Sequence, residues 1–63
     1  MNDRQPTGIR KKQIARAAQR IIAQQGLAKF TTSAIAREVG ISEGAMFRHV
    51  KNKEDIVMLV IED

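Results

Sequence analysis

The chemistry available to this sequence is carried by its basic side chains. All eleven Lys and Arg lie in residues 1–53 beside three acids, Asp3, Glu38 and Glu43, a balance of +8. Residues 54–63 hold Glu54, Asp55, Glu62 and Asp63 and no base, a balance of −4, which leaves the chain at +4. A basic body with an acidic end points to a polyanion against the first part of the chain, with the acidic end facing away from it. Catalytic chemistry does not find its residues. There is no Cys, no Tyr and no glycine-rich phosphate loop, and the single His, His49, has no evident partner to make it a general base. No enzyme activity, cofactor or metal is expected.

The elements that position those bases must form in a short chain. At 63 residues, with no Cys for disulfides or a Cys-based zinc site, the sequence is one domain at most or a piece of one. A domain of this size leans on well-formed helices or on a partner. The 43% apolar content is too high for a disordered tail. No apolar run reaches the roughly 18 residues of a membrane span, and the N-terminus lacks the apolar core of a secretory signal. A soluble, cytoplasmic protein is expected.

Residues 1–8 read as an irregular, flexible basic lead, with turn formers Asn2, Asp3, Pro6 and Gly8 and a cap candidate in Thr7. A helix is expected over 9–25, because Ile14, Ala17, Ala18, Ile21 and Ile22 fall at i, i+3, i+4, i+7 and i+8. Gly26 suits a terminus with positive φ, and Leu27 is placed to fold back on the helix end. Phe30 reads as a core anchor in the connection. Thr31 and Thr32 are N-cap candidates for a second helix over 33–39 that buries Ile35, Ala36 and Val39. Gly40 ends it, Ser42 caps a third helix expected over Glu43–Val50, and Met46 and Phe47 are its large apolar residues. Asn52, with Glu54 and Asp55 in the following turn, resembles a capping box opening a fourth helix with an apolar stripe of Ile56, Leu59 and Val60.

Helix two, a glycine turn and helix three form the informative constellation. Ala36 lets two crossing helices touch, Gly40 makes the tight turn, Ile35, Val39, Ile41 and Met46 share a core, and Ser42 caps the second helix. This is the helix-turn-helix signature, whose second helix enters the DNA major groove. The longer run Ile14-Ala-x-Ala17-Ala18-x-x-Ile21-Ile22-x-x-x-Gly26, then Phe30-Thr31-Thr32-x-x-Ile35-Ala36-x-x-Val39-Gly40-Ile41-Ser42-x-Gly44-x-Met46-Phe47-x-His49-Val50-x-Asn52-Lys53-Glu54-x-Ile56, resembles the N-terminal DNA-binding domain of TetR-type transcriptional repressors over about residues 10–60.

The resemblance implies an all-α fold: a three-helix helix-turn-helix domain over 9–52, plus the start of a fourth connecting helix over 53–63. That helix would lead to a further domain that binds a small-molecule effector and forms a homodimer. It implies double-stranded DNA as partner, with a palindromic operator and no membrane. Thr32 would meet a phosphate through its hydroxyl and the start of helix two. Ser42, Glu43, Gly44 and Ala45 would open the recognition helix against bases or adjacent phosphates, with Gly44 and Ala45 acting by close approach and Glu43 also serving the helix dipole. Phe47 stands where the family usually has Tyr, and without the hydroxyl its ring is left for core or sugar packing. His49 and Lys53 would contact phosphate, with Arg48 and Lys51 as looser candidates. Arg4, Arg10, Lys11 and Lys12 would lie on an arm that reaches the DNA backbone or minor groove. Two other readings stand beside this one: a nonregulatory DNA-binding protein on the same fold, and a cationic amphipathic helix acting on membranes or partner proteins.

Overall fold

In the computed structural model, which describes residues 7–62, the chain forms α1 (Thr7–Gln25), a short 3-10 turn (Leu27–Lys29), α2 (Thr32–Val39), α3 (Glu43–Met46) and α4 (Lys53–Glu62). No strand occurs among the described residues, so the architecture is all-α as expected. Of the lead expected at 1–8, residues 1–6, with Arg4 among them, lie outside the described residues. Helix α1 starts at Thr7, so Thr7 and Gly8 belong to the helix and not to that lead.

Helix α1 packs against α2 and α4, and α2 packs against α3. Each of the four helices places one large side chain at zero exposure: Ile14, Ile35, Met46 and Ile56. Ala17, Ala18, Ile21, Phe30, Ala36 and Val50 complete the buried cluster. At roughly 1.5–3 kcal/mol per fully buried large apolar side chain, this cluster outweighs any surface contact. The Arg20–Glu38 ion pair between α1 and α2, 3.0 Å long and largely solvated, is worth about 0.2–1 kcal/mol. The small face of α1 is thus taken up by its neighbours, and no helix is long and apolar enough to cross a membrane among the described residues.

Two glycines make the turns. Gly40 has φ +91° and ψ 28°, and its N–H and that of Ile41 both donate to the Ala36 carbonyl, at 2.9 and 3.0 Å. This left-handed closure turns the chain between α2 and α3 at no Cβ cost. Gly26, after α1, has φ +85° and ψ 171°, a conformation open essentially to glycine alone. Leu27 does not fold back on α1. It is 71% exposed in the 3-10 turn, because Gly26 turns the chain away and Phe30 fills the core instead.

The helix starts follow local hydrogen bonding. Thr31, not Thr32, caps α2, its Oγ1 accepting from the Ala34 N–H at 3.1 Å, so α2 begins one residue earlier than expected. Asn52 Oδ1 accepts from the Asp55 N–H at 3.0 Å, and Asp55 Oδ2 accepts from the Lys51 N–H at 2.7 Å. This is the reciprocal logic of a capping box with the shorter acid reaching back one residue further. Among the described residues α4 is apolar on both sides: Ile56 is buried, Leu59 and Val60 pack on the core, and Val57, Met58 and Ile61 face outward.

Candidate nucleic-acid interface

The candidate surface is built on three consecutive helix starts. At α2, Thr31 is consumed as the cap, which leaves the hydroxyl of Thr32, in the first turn, free of capping duty. That hydroxyl donates to Glu43 Oε2 at 2.9 Å, so the first turns of α2 and α3 are joined across the glycine turn. Thr32 is half-buried and Glu43 exposed.

At α3, Ser42 Oγ accepts from the Ala45 N–H at 3.0 Å and keeps its own proton for an outside acceptor. Ser42, Glu43 and Gly44 are exposed, Ala45 is half-buried, and Met46 is fully buried beneath them. The buried methionine anchors the short helix and turns its first residues outward. A Cβ built on Gly44 would meet only the Ser42 hydroxyl, 3.9 Å away, so the backbone here is open to approach.

The third helix is shorter than expected. α-Helical geometry ends at Met46 instead of Val50, and the next turn tightens: Arg48 N–H bonds the Ala45 carbonyl at 3.2 Å and His49 N–H the Met46 carbonyl at 2.9 Å, both three residues back. Such tightening is common at helix ends. Val50 is buried and its N–H reaches Met46 at 3.2 Å, so the segment still coils around the core through residue 50. Phe47 is 43% exposed and is not the core residue its type allowed. Arg48 is exposed and His49 half-buried.

At α4, Lys53 is exposed and its Nζ lies 5.0 Å from the centre of the Phe30 ring. Asp55 spends its carboxylate on the Lys51 N–H, at the corner that carries the Lys51 and Lys53 side chains.

The structure therefore joins Thr32 to Glu43 and sets Ser42 beside Gly44, whereas Lys53 rests on a core ring and touches none of the other candidates through that contact. Arg10, expected on an arm, is only 7% exposed and its Nη1 donates to Gln13 Oε1 at 2.7 Å. A signal for this was present: Arg10 lies four residues before Ile14 and extends the buried stripe of α1 by one turn. Lys11 is half-buried and Lys12 exposed. The Thr32–Glu43 bond had no such signal, because it depends on how α2 and α3 are set against each other.

Among known proteins, the sequence matches the family described as bacterial regulatory proteins, tetR family, over residues 14–59. It is 35% identical over 51 residues to a fatty acid metabolism regulator protein of Bacillus subtilis (strain 168), covering 81% of this chain and 26% of that protein. It is 38% identical over 53 residues to the uncharacterized HTH-type transcriptional regulator YerO of the same organism, covering 84% and 18%. An HTH-type transcriptional regulator of Staphylococcus aureus (strain bovine RF122 / ET3-1), SAB2452, is 31% identical over 52 residues, covering 82% and 28%. The chain thus spans between 18% and 28% of these relatives' lengths. No solved structure gives a significant match.

Proposed function

The chain belongs to the tetR family of bacterial regulatory proteins, and from that premise we propose that it binds double-stranded DNA sequence-specifically and acts as a transcriptional repressor. The observation that carries the reading is the outward first turn of α3, with Ser42, Glu43 and Gly44 exposed over a fully buried Met46 and an open backbone at Gly44. A segment presented this way fits a major groove, and Glu43–Val50 supplies it. The relatives named as transcriptional regulators support the same conclusion.

In this reading Gly44 and Ala45 approach base edges, Ala45 by apolar contact such as a thymine methyl. Thr32, Ser42, Arg48, His49 and Lys53 hold phosphates and set the register. The exposed ring of Phe47 packs on sugar. Repression follows from occupying a promoter and blocking polymerase. The outward apolar residues Val57, Met58 and Ile61 support a further helical domain seated on α4, through which a homodimer forms and a small-molecule effector acts. A nucleoid-associated, cytoplasmic location goes with that role.

The test is selection of bound sequences from a random duplex pool by the intact protein. A palindromic consensus is expected, from two reading heads related by a two-fold axis. Binding to the selected site is expected to weaken steeply with salt as phosphate contacts release counterions. Recovery of no consensus overturns sequence-specific binding, and a flat salt response overturns the phosphate contacts.

A further inference from the structure

Glu43 is the one acid in residues 42–53, a stretch that also holds Arg48, Lys51 and Lys53. It is also the residue that holds Thr32, its carboxylate accepting from the Thr32 hydroxyl at 2.9 Å. A threonine hydroxyl has a single proton to donate. It can give that proton to the carboxylate or to a phosphate, but not to both at once. A phosphate that comes to Thr32 must displace the carboxylate and then lie beside its charge.

We infer that Glu43 is a latch that filters duplexes. Closed on Thr32 in the free protein, it opposes every phosphate equally. It opens at little cost only where the duplex offers the carboxylate another donor, such as the amino group of a cytosine in the major groove. Glu43 thereby penalises non-cognate DNA more than it penalises the selected site. This inference rests on the duplex-binding reading above. It differs from service to the helix dipole, which any acid at the start of α3 provides without regard to Thr32.

The experiment measures affinity for the selected duplex and for a scrambled duplex of equal length. The proteins compared are the intact wild type, Glu43→Gln, Thr32→Val, the double variant, and Thr32→Ser with and without Glu43→Gln. Circular dichroism melts establish that each is folded. Glu43→Gln is expected to tighten the scrambled duplex by about tenfold, the effect of exchanging one charged hydrogen bond, and the selected duplex by less. In the Thr32→Val background the gain is expected to fall to about threefold or below, and Thr32→Ser, which keeps the hydroxyl, is expected to restore it. An absent gain, or one of equal size with and without the hydroxyl, overturns the latch and leaves duplex binding intact. Failure of the wild type and all variants to bind either duplex overturns the duplex-binding reading instead.

Discussion

The Lys53 ammonium lies 5.0 Å from the centre of the Phe30 ring, so an exposed cation at the start of α4 is held by a ring buried in the core. An exposed contact of this kind is worth about 0.5–1 kcal/mol. It fixes where the charge stands more than it stabilises the fold. Replacing Lys53 by Ala is therefore expected to lower stability by less than about 1 kcal/mol. Duplex affinity should fall by a similar factor for all sequences, with the salt slope smaller by about 1. Titrations of two unrelated duplexes at several salt concentrations check this, and a loss confined to one sequence would contradict it.

Gly44 offers a separation of stability from binding. Its Cβ position is open in the free protein, and alanine favours a helix by up to about 1 kcal/mol. Gly44→Ala is expected to leave the melting temperature unchanged or raise it slightly, while affinity for the selected duplex falls. If the duplex is bound as tightly as before, the backbone at Gly44 does not approach DNA closely.

The two positive-φ glycines should respond differently to the same replacement. Gly40, at ψ 28°, lies in the left-handed region that Asn tolerates, whereas Gly26, at ψ 171°, lies where essentially only glycine is found. Gly40→Asn is expected to cost less than about 1 kcal/mol and Gly26→Asn about 1–3 kcal/mol. Denaturant unfolding of the two variants side by side gives the order, and the reverse order would show that packing, not backbone conformation, sets these sites.

Helix α4 divides sharply between core and outer face. Ile56 is fully buried, whereas Met58 is 51% and Ile61 70% exposed. Ile56→Ala is expected to destabilise this 63-residue chain by about 2–5 kcal/mol, enough to unfold a domain of this size. Ile61→Ser is expected to change stability by no more than about 0.5 kcal/mol in the same chain. In a longer protein with a domain seated on α4, Ile61→Ser would become costly. Comparing the melts of short and long forms would reveal that face as an interface, and identical costs in both would argue against one.

What sequence determined here is what neighbours along the chain decide. The apolar stripe of α1, the turn at Gly40, the Ser42 and Asn52 caps and the Asp55 reach-back all arise between residues one to five apart, where chain geometry alone brings groups together. Composition added the basic body, and with the spacing from Ile14 to Ile56 it indicated the family. Helix ends were less legible. Whether Thr31 or Thr32 caps α2, and where α3 tightens, turns on small differences between competing hydrogen bonds.

Tertiary structure decided the pairings between distant residues. Thr32 and Glu43 are eleven residues apart and Arg20 and Glu38 eighteen, and neither spacing has a period that would announce contact. Lys53 on Phe30 joins the start of α4 to the connection before α2. Each of these depends on the relative placement of whole helices, which the buried contacts of Ile14, Ile35, Met46 and Ile56 set collectively. A polar side chain then meets whichever partner that packing leaves within reach. For Glu43 that partner is Thr32, whose hydroxyl the family resemblance set against phosphate.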